Sequence, residues 1–110
     1  MRLYLAGPMS GLPDHNFPAF YRAEARLTLA GYSVLNPARL DGEDGAMPWG
    51  KCLIRDLDAL YNNCHGVALL PGWASSKGAR IEHDFAVGVG LPVAELHFWL
   101  APTTIKEYLS

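Results

Sequence analysis

Gly66-Val67-Ala68-Leu69-Leu70 is an unbroken apolar run closed by Pro71-Gly72. A strand with one solvated face alternates apolar and polar residues. A run with no polar member instead fits a central strand of a parallel sheet, covered on both faces. Upstream, Trp49 to Asn63 reads as a helix in which Leu53, Ile54, Leu57, Leu60 and Tyr61 form one apolar stripe. Downstream, the loop Pro71 to Lys77 leads into a helix that starts near Gly78 and stops around Gly88-Val89-Gly90. Pro92-Val93-Ala94-Glu95-Leu96 follows as a further strand. Strands that alternate with helices of these lengths imply parallel pairing and right-handed crossovers.

The flanks extend the same alternation. Arg2-Leu3-Tyr4-Leu5-Ala6 is a strand that ends at Gly7-Pro8. Asn16 is the expected N-cap, with Pro18 in the first turn, of a helix from Phe17 to Ala30 that stops at Gly31. Tyr32-Ser33-Val34-Leu35 is a short strand closed by Asn36-Pro37. The segment Ala38 to Pro48, with three acids and two glycines, is expected to be an exposed loop, and a short helix is expected over Thr104 to Leu109. No repeat, low-complexity tract or linker divides the 110 residues, so a single α/β domain over residues 1–110 is expected.

Half of the residues are hydrophobic and 18% are charged, a globular rather than a disordered composition. A formal net charge of −2 offers no general attraction to polynucleotides or to anionic membranes, which leaves a small molecule as the expected partner. No signal-peptide pattern precedes Arg2, and the apolar stretches fall far short of the ~20 residues of a membrane span. Cys52 and Cys64 lie within one helix rather than in a disulfide framework. A reducing, cytoplasmic setting is expected. A domain of this size gains core by forming a homodimer or larger oligomer, and Leu96-His97-Phe98-Trp99-Leu100 offers an apolar surface for that.

In open parallel sheets, ligands bind beyond the carboxyl ends of the strands. Here those ends are the loops that begin at Gly7, Asn36 and Pro71. Gly7-Pro8-Met9-Ser10-Gly11 and Ser76-Lys77-Gly78 are therefore the candidate substrate-binding segments. Neither is a phosphate-binding P-loop, and no strand runs into a dinucleotide fingerprint, so no cofactor is expected. His15, His65, His83 and His97 lack metal-ligand spacing, so no metal is expected either. A Ser-His-Asp hydrolase is disfavoured by the lack of a Gly-x-Ser-x-Gly elbow.

Glu82 is the most informative residue. At about 100° per residue, Gly78, Ala79, Ile81, Phe85, Ala86 and Val89 fall on one side of their helix, with Glu82 near its middle. Arg80 and Asp84 point away. A carboxylate on a sheet-facing side is costly unless it is paired or used. It serves either in chemistry or as a structural group bonded to a loop or to Tyr4, whose own hydroxyl needs a polar partner. Asp56 and Asp58 flank the stripe of the preceding helix on opposite edges, and periodicity does not choose between them. Ser75 or Ser76 suits the N-cap of the helix that carries Glu82.

Tyr4-Leu5-Ala6-Gly7-Pro8, Arg55-Asp56-Leu57 and Ser76-Lys77-Gly78-Ala79-Arg80-Ile81-Glu82, leading into Gly90-Leu91-Pro92-Val93, resemble in order and spacing the nucleoside 2-deoxyribosyltransferase-like proteins. Asn16-Phe17-Pro18-Ala19-Phe20 and Leu70-Pro71-Gly72-Trp73 are similar to small members often encoded by bacteriophages. The resemblance implies a flavodoxin/Rossmann-like parallel sheet of four to five strands flanked by helices, assembled as dimers or larger oligomers. It implies Glu82 as the nucleophile at the sugar C1′, Tyr4 as the hydroxyl that orients it, and Asp56, rather than Asp58, as the acid that meets the leaving base. Relatives acting on free nucleosides carry aspartate six residues before the nucleophile, whereas those hydrolysing nucleoside 5′-monophosphates carry serine. This chain has Ser76 there, beside Lys77 at a helix start that suits an anion. Those hydrolases also carry an arginine in the first loop, where this chain has Ser10. The expected activity is hydrolysis of the N-glycosidic bond of a (deoxy)nucleoside 5′-monophosphate. Base exchange by a 2-deoxyribosyltransferase and a non-catalytic nucleotide-binding module are the alternatives.

Overall fold

The apolar run at residues 66–70 lies inside the sheet, as its composition requires. In the computed structural model, which describes residues 1–44 and 47–102, strand β3 (Gly66–Leu69) is buried along its whole length. It pairs in parallel with β1 (Arg2–Ala6) on one side and β4 (Val93–Glu95) on the other. Strand β2 (Ser33–Leu35) adds to the far edge of β1, which gives an all-parallel, four-stranded sheet in the order β2-β1-β3-β4. The chain thus has the expected flavodoxin/Rossmann-like α/β fold.

Helices cover both faces. Side chains alternate across a strand, so Leu3 and Leu5 of β1 and Ala68 beyond them pack with Phe20, Ala23 and Leu27 of α1 (Phe17–Leu29). Tyr4 and Ala6 turn the other way, with Val67 and Leu69, toward α3 (Trp49–Asn63) and α4 (Lys77–Gly88). Among the described residues, no helix is long and apolar enough to cross a membrane.

Helices α3 and α4 fall where the sequence places them, but four local expectations need correction. Residues 37–44 form a helix, α2 (Pro37–Asp44), not a loop. The start signal is Asn36-Pro37: the Asn36 side-chain oxygen accepts from the Ala38 amide at 3.0 Å, and proline occupies the first helical position. Arg39 then ties α2 to α1 through Glu24 at 2.6 Å and stacks on the Tyr21 ring. The Arg39 guanidinium holds the Glu24 carboxyl below its usual range, against the opposing effect of burial.

Asn16 occupies the N-cap position of α1 but does not cap it. Asp14, His15 and Asn16 all adopt left-handed backbone angles, with φ of 52°, 52° and 60°. The Asn16 amide donates instead to the Pro8 carbonyl at 2.9 Å, which braces the loop after β1. The stripe of α3 is also rotated from expectation: Ile54 and Tyr61 are 69% and 58% exposed, whereas Leu60 is fully buried. Finally, β4 stops at Glu95, and Leu96–Leu100 form a helical turn, α5. Trp99 is buried there, and its indole N–H donates to the carbonyls of Val67 and Ala94 at 2.9 and 3.2 Å. The C-terminal apolar cluster therefore completes the core rather than offering a free surface. The helix expected over Thr104 to Leu109 lies outside the described residues.

Two loops touch where the sheet ends. A Cβ added to Gly7 would come within 2.8 Å of Leu70 Cβ, and one added to Gly72 within 3.3 Å of Pro8. Gly7→Ala should therefore force the loops after β1 and β3 apart and destabilise the fold by about 1–3 kcal/mol, the usual cost of overpacking. Urea denaturation of the two proteins checks this. Equal stabilities would show that the loops separate freely.

Candidate functional site

The chain leaves β1 toward β2 on one side of the sheet, while β3 lies on the other. The loops after β1 and β3, in contact at Gly7 and Gly72, lead to helices on opposite faces of the sheet and part beyond that contact at its carboxyl edge, the crevice in which such folds bind ligands. A cleft of about 780 Å³ opens there, of the size that accommodates a small molecule.

The candidate residues converge on it from three elements. Gly7, Met9 and Ser10 contribute from the loop after β1, Asp56 from α3, and Ser76, Lys77, Gly78 and Glu82 from the start of α4. Gly11 lies just outside the lining, at the exposed turn where φ is +78°. Tyr4 does not line the cleft. It is fully buried beneath it, and its hydroxyl donates to Glu82 Oε2. Tyr4 and Glu82 thus meet across 78 positions of sequence, a contact that both the catalytic and the structural reading of Glu82 anticipate.

The local folding that produces this is simple. The hydroxyl of Ser76 accepts from the Ala79 amide at 3.3 Å and so caps α4. That cap fixes the helix phase, which places Ala79, Glu82 and Ala86 on the buried face and leaves Arg80 and Asp84 in solvent. Glu82 is 6% exposed, and a carboxylate so placed persists only with donors such as Tyr4. Asp56 is 8% exposed, while Asp58 faces solvent and bonds Asn62. Asp56 Oδ1 accepts from both Nε and Nη2 of Arg55, at 3.0 and 2.7 Å, a charge-assisted arrangement that favours the ionised carboxylate.

The cleft has further walls. Trp49 and Met47 at the start of α3, Phe17 and Phe20 of α1, and His15 also line it. None of them stands out from the sequence, because apolar residues at helix starts look the same whether they face a core or a cleft. For His15 the signal is conformational and absent from the sequence. Cys52 also lines the cleft, whereas Cys64, expected within the same helix, lies just past the end of α3, where burial pushes its thiol up to about 11, against the pull of Arg2. Among the described residues, no group of three or more His, Cys, Asp or Glu is placed to hold a metal ion.

A family model described as "Domain of unknown function (DUF4406)" matches residues 1–95. No curated protein matches the chain.

Tyr4→Phe removes one donor from a buried carboxylate at constant ring packing. It should lower stability by about 1–3 kcal/mol, as expected when a buried polar group loses a partner. Tyr61→Phe, at an exposed ring, should change little. Denaturant titrations giving the same loss for both variants would show that the Tyr4 hydroxyl contributes nothing particular.

Proposed function

This chain belongs to the DUF4406 family, and from the geometry of its cleft we propose that it hydrolyses the N-glycosidic bond of a (deoxy)nucleoside 5′-monophosphate. One observation carries the reading: a nearly buried carboxylate, Glu82, is oriented by a buried hydroxyl at the head of a cleft of suitable size. A carboxylate held in this way is a fitting nucleophile for a sugar C1′, whose positive charge develops as the base departs.

The proposed chemistry has two steps. Glu82 forms a bond to C1′ as the C1′–N bond breaks, and the bonding electrons leave with the base, which takes up a proton. Water then attacks C1′, gives up a proton to solvent and restores the free carboxylate, with sugar phosphate as the second product. Asp56, ionised beside Arg55, orients the base through one of its N–H groups and relays the incoming proton from solvent. Ser76, Lys77 and the first amides of α4 receive the 5′-phosphate. The half-buried Phe17 in the apolar wall of the cleft suits a flat base.

The reading includes self-association in a cytoplasmic setting. What supports association is the exposed apolar surface of Ile54 and Tyr61 on α3, Val87 at the end of α4 and Val89 just beyond it, not the C-terminal cluster.

Glu82→Gln should abolish release of free base from a nucleoside 5′-monophosphate, by several orders of magnitude, in a protein that still folds. Wild-type turnover in the folded variant would sink the proposal. The wild-type assay, run with and without an acceptor base, also separates the alternatives. Release without acceptor marks a hydrolase, exchange only with acceptor marks a transferase, and saturable binding without turnover marks a binding module.

Ser76→Asp tests the phosphate. Aspartate caps a helix as well as serine does, so the fold should survive. At about 4 Å and an effective dielectric near 20, the new charge opposes a phosphate by ~4 kcal/mol. kcat/KM for the monophosphate should fall at least about a hundredfold, while the matched nucleoside is spared. An unchanged ratio of the two would reduce Ser76 to a helix cap.

A further inference from the structure

We infer that Trp49 is a positioning residue that fixes the Lys77 ammonium at the mouth of the cleft and thereby sets the preference for an anionic substrate. The inference rests on the reading of the cleft as a sugar-phosphate site.

The charge balance of the cleft motivates it. Two of its lining residues, Asp56 and Glu82, are carboxylic acids, and Lys77 is the sole lysine or arginine among the described lining residues. A phosphate entering the cleft therefore approaches two acidic groups and relies on one permanent cation. Where that cation sits decides whether the anion is attracted or repelled.

Lysine is ill suited to hold a fixed place. Its four-carbon stem carries about 2 kcal/mol of rotamer entropy. Among the described residues, no carboxylate lies within ion-pair distance of Lys77. What locates it is an aromatic face: Lys77 Nζ lies 5.0 Å from the centroid of the Trp49 ring.

The ring itself is well placed for this. Trp49 is the first residue of α3 and Lys77 the first of α4, so their contact bridges the two helix starts that flank the cleft. The next residue, Gly78, has no side chain, and a Cβ built there would lie 3.7 Å from Trp49 Cζ2, so the indole rests against the first turn of α4. Trp49 is 46% exposed, which is too open for a core residue. Its ring acts as a platform instead. By holding Lys77 before substrate arrives, it removes part of the ordering cost from binding.

Binding of ribose 5-phosphate, measured by calorimetry, tests this without turnover. Trp49→Leu should weaken Kd by about 2–5-fold, the range expected of an exposed cation–π contact. Trp49→Phe, which keeps a ring face, should retain most of the affinity. Lys77→Ala should weaken binding further, and Trp49→Leu added to Lys77→Ala should cost nothing more. Additive losses in the double variant would overturn the inference alone, since Trp49 would then touch the ligand itself. So would a loss of affinity for a matched neutral nucleoside in Trp49→Leu as large as that for ribose 5-phosphate. Failure of the wild-type protein to bind ribose 5-phosphate would overturn the monophosphate reading and this inference with it.

Discussion

A carboxylate pressed against the face of a parallel sheet needs donors, and much of this molecule is arranged around meeting that need for Glu82. Tyr4 is central because β1 is the innermost strand beside β3, and its hydroxyl is fully enclosed. Side chains on a strand alternate, so a register slip of one residue would send Tyr4 to the α1 face and bring a leucine in its place. The pairing of Tyr4 with Val67 and Leu35 on its two sides guards against this slip. On the helix side, the Ser76 cap does the equivalent work. It sets where α4 begins, and the helical period then determines which residue faces the tyrosine.

The same arrangement explains why the cleft is asymmetric in charge. Its acids are deep and held by neighbours, Glu82 by Tyr4 and Asp56 by Arg55, while its lysine is at the rim. Deep acids are protected from screening by salt, whereas a rim cation is not. On the proposed reading, an anionic ligand is drawn in by a contact that responds to ionic strength and then worked on by groups that do not.

Much of this is legible in the sequence where hydrophobic pattern and geometry coincide. The run Gly66 to Leu70, the limits of α3 and the burial of Glu82 among Ala79 and Ala86 all follow from periodicity, because tertiary packing there agrees with local preference. Asn36-Pro37 misleads because the same dipeptide that ends a strand also starts a helix, and the acids after it suggest a loop. The stripe of α3 misleads because part of that helix borders a cleft: a polar residue, Asp56, occupies the inward position, while Ile54 faces out. The left-handed run Asp14–Asn16 carries only a weak compositional signal: Asp, His and Asn are the non-glycine residues enriched at positive φ, but as single residues rather than three in succession. Backbone strain of this kind is upheld by the surrounding structure, here the Asn16 bond to Pro8, and a local reading does not contain it.

The inner position of an early strand also has a temporal side. As the chain is synthesised, β1, α1 and β2 leave the ribosome first and suffice for one parallel pairing, Arg2 to Tyr4 against Ser33 to Leu35. The opposite edge of β1 then stays unpaired until β3 is made, some thirty residues after β2. Tyr4 waits longer still, because its partner is carried on α4. A partly made chain thus has an open strand edge, the feature on which chaperones and aggregation compete. It also has the floor of a cleft with no carboxylate at its head. Whatever the cleft does, it does only once the sheet has closed, so the assembly order itself keeps the nascent protein silent.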